Sequence, residues 1–227
     1  HAAKLRRYQE MIEEHISDEM QGLYGAVADA GGDMKKLDAS EFPVLNMLNT
    51  RYFIFPLQGG QTAPLPNPFA LGNAWFVDEV QYVSNANEEI EAIHGLNPQQ
   101  TAVVDKKFES IVKSIPSDAM DTIELVAYEP NYLKYEIDSK KGGTVVFSEI
   151  YYPGWQSTID GQEAAHGRAN YILRAMNVPA GKHVVEFRFD PKSLHTTETI
   201  AFIALGLLAL LAVVVIVMKI KACRKVG

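Results

Sequence analysis

The rhythm of apolar and polar residues changes several times along this chain. Residues 200 to 218, IAFIALGLLALLAVVVIVM, are nineteen positions without a charge. At about 1.5 Å rise per residue they span roughly 28 Å, close to the hydrocarbon thickness of a bilayer. A helix buried in a soluble protein usually keeps a polar face, and this run has none. The pattern therefore predicts a transmembrane helix rather than a central core helix. Residues 3 to 24 follow another rhythm. Leu5, Tyr8, Ile12, Ile16, Met20 and Leu23 recur at steps of three and four, with Arg6, Arg7, Glu10, Glu13, Glu14 and Asp18 among them. That spacing predicts an amphipathic helix, ended by Gly22, Gly25 and then Gly31-Gly32.

Residues 41 to 117 mix short apolar runs with breakers. EFPVLNMLNT (41–50) reads as a short helix leading into a strand, RYFIFPL (51–57). Gly59, Gly60, Pro64, Pro66, Pro68 and Gly72 mark 58–73 as loop. AWFVDEVQYV (74–83) reads as one strand. Asn85 or Asn87 caps a helix running to about Ile93 and closed by Gly95, and TAVVD (101–105) is a short strand. From about Asp118 the period becomes two. Ile123, Leu125 and Ala127 alternate with Glu124, Val126 and Tyr128; Val185, Phe187 and Phe189 alternate with Glu186, Arg188 and Asp190. Six strands joined by Gly-based turns at 141–143, 153–154, 160–161 and 180–181 predict an antiparallel β-sandwich of jelly-roll or Ig-like type. The expected organisation is an α+β ectodomain. A helix and linker (1–40) precede a small mixed α/β unit (41–117) and the sandwich (118–195). A membrane helix (200–218) and a basic tail (219–227) follow.

Charge adds a direction. Lys219, Lys221, Arg224 and Lys225 follow the apolar run without an acid, whereas Glu186, Asp190 and Glu198 stand before it beside Arg188 and Lys192. The positive-inside rule places the C-terminus in the cytoplasm and residues 1–198 outside it. The formal net charge is −7; setting aside those four cations leaves 17 of the 21 basic residues against 28 acidic ones, or −11. Such a domain repels nucleic acid and anionic headgroups. Cys223 is the single cysteine, so the ectodomain forms no disulfide. HAAKLRRYQEMIEEHI lacks the apolar core and cleavage site of a signal peptide. Export of the domain then calls for an upstream membrane segment, with this chain as a fragment. The alternative is a tail-anchored protein whose domain is cytosolic.

No string in the chain carries a catalytic signature. The six histidines are scattered without zinc spacing, and G-x-S-x-G, Walker A and G-x-G-x-x-G patterns are absent, so neither metal nor cofactor is expected. Glu149 and Asp160 flank an aromatic hairpin in the manner of a glycosidase pair, but Asp160 stands in an Asp-Gly turn, which favours Asp structurally. Tyr151, Tyr152 and Trp155 are the candidate ligand-binding aromatics, since ring faces stack on sugars. The competing reading makes Trp155 a core anchor on one face with Ser157 and Ile159. Arg168 and Arg174 are candidate phosphate contacts, weighed against ordinary solvated surface arginines.

SEIYYPGWQSTIDGQ (148–162), ANYILRAMNVPAGKHVVEFRFDP (169–191) and the single helix after them resemble the C-terminal end of the YfhO family of bacterial membrane proteins. LRRYQEMIEEHI (5–16), FPVLNMLNTRYFIFP (42–56) and FALGNAWFVDEV (69–80) fit as well, in the style of the Bacteroidetes members. The family is similar to the GT-C glycosyltransferases, which move a sugar from a polyprenyl-phosphate donor to an acceptor outside the cytoplasm. Their catalytic acids lie in an early extracytoplasmic loop. The resemblance thus implies an accessory extracytoplasmic domain and a last membrane helix in the bacterial cytoplasmic membrane, without catalytic residues of its own. A polyprenyl-phosphate sugar or a cell-envelope glycan is the implied partner beside the bilayer. The second expectation, from another class, is a non-enzymatic membrane-anchored module that binds glycan or a partner protein.

Overall fold

The computed structural model describes residues 5–56 and 58–226. Leu57, expected to close the first strand, and His1 and Gly227 lie outside them. The chain divides into two units: residues 1–152 with 156–188, and residues 153–155 with 189–227.

The first unit opens with helix α1 (Arg6–Met11), which passes through a π-helical turn (Ile12–Ile16) into α2 (Ser17–Asp29). Gly22 and Gly25 do not stop the helix. They are absorbed into α2, and the positive φ of Gly31 and Gly32 ends the segment instead. Leu23 and Val27 of α2 pack with Met34, Phe42, Leu45 and Phe53 in a small core. Helix α3 (Pro43–Met47) has Pro at its first turn, where a missing N–H costs nothing. The Glu19 carboxylate accepts the Val44 and Leu45 N–H groups at 2.9 Å each, capping α3 from α2. Strands β1 (Tyr52–Pro56) and β2 (Thr62–Pro66) form an antiparallel ribbon.

The stretch 74–83 is two strands with different partners. Strand β3 (Ala74–Val77) and strand β4 (Glu79–Val83) are separated by Asp78, whose carboxylate accepts from Ser117. Helix α4 (Ala86–Glu91) is capped by the Asn85 side chain, which accepts from the Asn87 and Glu88 N–H groups. Strand β5 (Thr101–Asp105) pairs with β4 in parallel.

The remaining strands are β6 (Thr122–Glu129), β7 (Tyr132–Ser139), β8 (Gly143–Ile150), β9 (Trp155–Ile159), β10 (Gln162–Glu163), β11 (Gly167–Ala169), β12 (Leu173–Val178) and β13 (Gly181–Phe189). They build a five-stranded sheet in the order β10-β9-β13-β7-β6 and a four-stranded sheet in the order β11-β12-β8-β3. The fold is α+β with sandwiched antiparallel sheets. Its second sheet takes edge strand β3 from the segment before residue 118, so the strands of the sandwich are not confined to 118–195. Phe147 from one sheet meets Tyr135 and Phe187 from the other at ring distances of 4.9 and 4.8 Å. Val146, Leu173 and Ala175 belong to a second core, shared with Met11, Val44, Ile93 and Val103. The four-stranded sheet is therefore covered on both faces, which explains its nearly continuous burial.

In the second unit, Gly154 has φ 105°, and a Cβ there would lie 2.9 Å from Pro191. The Asp190 N–H donates to the Gly154 carbonyl at 2.8 Å, and the Trp155 and Phe189 rings lie 5.4 Å apart with their planes tilted at 50°. Helix α5 (Lys192–Val226) begins directly after Pro191, earlier than the apolar run itself. Its segment Ser193–Lys221 is long and apolar enough to cross a membrane, and none of it is buried.

Candidate functional site

Two of the candidate residues sit in the interior. Arg168 of β11 is 5% exposed, and its guanidinium grips Glu89 of α4 at 2.7 and 3.3 Å. Glu89 is 0% exposed and takes a second cation, Arg7, at 3.1 Å. Asp105 lies 3.7 Å from Arg168 and 3.1 Å from Lys107, and Phe108 stands 5.5 Å from the Arg168 guanidinium. Arg7 also covers the Tyr171 ring at 4.4 Å, while the Tyr171 hydroxyl donates to Glu10. Burial and that bond to Glu10 push the Tyr171 hydroxyl up to about 12; the same bond and Arg6 hold Glu10 below the usual carboxylate range. Asn170 and Tyr171 both have positive φ, at 48° and 69°, forming the tight turn between β11 and β12. Asn170 locks that turn to β5 through both its backbone N–H and its side-chain oxygen on Val103. A non-glycine pair in this region is strained, and these contacts hold it.

Arg174 of β12 is 1% exposed and lies between the sheets. Its Nε donates to the Ile150 carbonyl at 3.0 Å, and its guanidinium stands 5.1 Å from the Phe187 ring. The ladder between β12 and β8 skips here: Leu173 pairs with Ile150 but Arg174 with Phe147. This bulge takes Ser148 and Glu149 out of register and leaves the Glu149 carboxyl in the field of Arg174. Burial raises Glu149 and lowers Arg174 to about 10, and their mutual attraction opposes both shifts. Burial also lowers His166 to about 4, helped by Arg174, so the imidazole is neutral at pH 7.

The aromatic candidates are divided. Tyr151 is half-buried, with Phe108 at 5.5 Å and His166 at 5.7 Å. Tyr152 is exposed at 44%. Trp155 is half-buried and belongs to the second unit. Asp160 is exposed in its turn, where it accepts from the Val184 N–H at 2.8 Å and meets His183 Nδ1 at 2.6 Å. The Val184 N–H and then His183 hold its carboxyl low.

The arrangement says what it can do chemically. Ser157 Oγ donates to the Ala164 carbonyl and lies 2.7 Å from His166 Nδ1. A serine has one proton to give, so His166 must be the donor in the second bond. That is the reverse of the polarity that activates a nucleophile, and Ser157 is only 3% exposed. No group of three metal-binding side chains occurs among the described residues. Sequence reasoning missed Glu89 entirely. Its only signal was an acid on a capped helix that also carries Glu88, which bonds back to the cap instead.

Sheets packed as a sandwich and a long apolar helix define a membrane-anchored β-sandwich protein. The family model described as bacterial membrane protein YfhO matches residues 94–218, more than half of the 227 residues, and the chain belongs to that family. No curated protein and no solved structure matches it.

Proposed function

We propose that this chain is the C-terminal extracytoplasmic domain and last membrane helix of a polytopic GT-C-like glycosyltransferase. The donor is a polyprenyl-phosphate sugar, and the transferring acids lie outside this chain. The family match running through sandwich and helix carries this reading. The domain's role is to support the transferase or shape access of the acceptor. The whole polytopic protein in proteoliposomes should transfer sugar from a polyprenyl-phosphate donor, and this chain alone should not. Transfer by this chain alone, lost in Glu149→Gln, would overturn the accessory role. Residues 1–198 are extracytoplasmic and 219–227 cytosolic in this reading, following the basic flank. Cys223, the single thiol of the sequence, reports on it. A membrane-impermeant maleimide should leave Cys223 unlabelled in intact cells and label it after permeabilisation. Labelling in intact cells reverses the orientation.

A further inference from the structure

We propose that a cleft in the first unit, away from the aromatic corner, binds a neutral carbohydrate. The cleft holds about 800 Å³ between the start of α3, the loop 68–71, strand β3 and the loop 95–99. That volume falls in the usual range of small-molecule sites.

Its lining selects the ligand class. Phe69, half-buried, and Trp75, 8% exposed, contribute aromatic surface. Asn97 and Gln99 contribute exposed amides, and Ser40 a hydroxyl. Among the described residues, no lysine, arginine or histidine lines the cleft, and Asp38 is the single ionisable group there. Hydrogen bonds from Ser40 hold that carboxyl low and therefore charged at neutral pH. A phosphate or carboxylate ligand would meet an anion and no cation. A purely apolar ligand would strip water from the amides and return nothing. A sugar ring answers both conditions, with an apolar C–H face for the aromatics and a rim of hydroxyls for the amides.

The walls are fixed before any ligand arrives. Asn46 donates to the Ala39 carbonyl at 3.0 Å and accepts from Asn67 at 3.0 Å. Asn67 in turn accepts from the Phe69 N–H, and the Leu71 N–H donates to the Asn46 carbonyl, each at 3.0 Å. Trp75 Nε1 donates to the Pro98 carbonyl at 2.7 Å, and Asn97 accepts from the Gln99 N–H at 3.2 Å. Three separate segments are thus tied into one preorganised rim, which lowers the entropy lost on binding. The inference stands on this lining and not on the transferase reading.

The test uses the full chain in lauryldimethylamine oxide, a detergent without a sugar headgroup, and follows binding by saturation-transfer NMR and calorimetry. The probes are maltotriose, cellotriose and N-acetylated chitotriose. At least one should bind saturably with Kd of about 1 mM or below. Phe69→Ala and Gln99→Ala, each checked for folding by circular dichroism, should weaken it at least about fivefold, as loss of a stacking face or a bonded amide does. Tyr128→Ala, an exposed aromatic outside the cleft, should leave it unchanged. No saturation by about 10 mM, equal binding in both cleft variants, or tighter binding of glucose 6-phosphate or a proline-rich peptide would overturn the assignment. Because no transfer reaction is read, this result and the fate of the transferase reading are separable.

Discussion

Removing Arg168 separates a structural cation from a ligand contact. Arg168→Met keeps the length of the side chain and deletes its charge. Glu89, with no exposed surface, is then left with Arg7, a partner whose own side chain is 30% exposed. Breaking one side of a buried ion pair costs about 3–5 kcal/mol, mostly from the desolvated charge left behind. With a urea slope of about 2 kcal/mol per molar, the midpoint should fall by roughly 1.5–2.5 M. The second arm of the cycle is Glu89→Gln with Arg168→Met. It removes both charges and should recover most of the loss, giving a coupling above about 2 kcal/mol. The assay is a urea melt of the full chain in zwitterionic micelles, followed by far-ultraviolet circular dichroism. If Arg168 instead served only to meet a ligand phosphate, its loss would leave the midpoint near wild type. That outcome, or a double variant no better than Arg168→Met, refutes the reasoning.

Three other perturbations follow from the geometry. Burial raises Glu19 from 4.5 to about 7, against the pull of the Leu45 and Val44 N–H groups. The folded state therefore keeps a proton that the unfolded chain loses, so the contribution of Glu19 to stability is fullest below pH ~4.5 and falls toward pH ~7, by on the order of 3 kcal/mol; Glu19→Gln should remove that fall from the pH profile, and an unchanged slope contradicts it. Gly142 has φ 78°, and a Cβ there would lie 2.6 Å from the Val178 carbonyl oxygen, so Gly142→Ala should lower the urea midpoint by at least about 1–2 kcal/mol of stability, with a neutral result counting against the turn. Trp155→Ala should cost about 1–3 kcal/mol, less than a fully buried tryptophan, and exposed Tyr152→Ala about 0.5 kcal/mol or less; a Trp155→Ala melt equal to wild type argues for a ligand surface at the corner.

Local pattern made most of the elements legible. The apolar run, the period-two strands and the Gly-based turns each carry their own signal, but strand β2 (Thr62–Pro66) pairs with β1 in a stretch whose Pro64 and Pro66 read as loop. What sequence could not show is which strand pairs with which. AWFVDEVQYV alternates without a visible break, yet Asp78 divides it because Ala74–Val77 pairs with β8 while Glu79–Val83 pairs with β5. The start of α5 was hidden for a similar reason. Residues 192–199 are polar apart from Leu194, and nothing in their hydropathy distinguishes a linker from the first turns of a longer helix.

The two arginines show why site reasoning stops at the strand. Arg168 and Arg174 stand directly opposite each other across β11 and β12, so they share one face of the sheet. Two like charges in that position repel, and the sheet around them is buried on both sides. Each is answered by its own acid: Glu89 pairs with Arg168 from seventy-nine positions away, and Glu149 faces Arg174 from across a bulge. Neither acid is marked by local spacing. Glu149 enters the field of Arg174 only because the β8 ladder skips two residues there, and Glu89 is reached only because α4 packs on β5, which itself lies against β11. An arginine in an alternating strand looks solvated until the second layer is known. The doubled pairing also sets an order of consequences: losing Glu149, which is half-buried, leaves Arg174 its bond to the Ile150 carbonyl, whereas losing Arg168 strands a carboxylate with no exposed surface. Glu149→Gln should therefore shift the urea midpoint less than Arg168→Met does, because a guanidinium with a carbonyl and an aromatic face retains more of its lost hydration than a buried carboxylate stripped of its fork. The opposite ranking in the same melts would mean that the bulge, and not α4, holds the sandwich edge together.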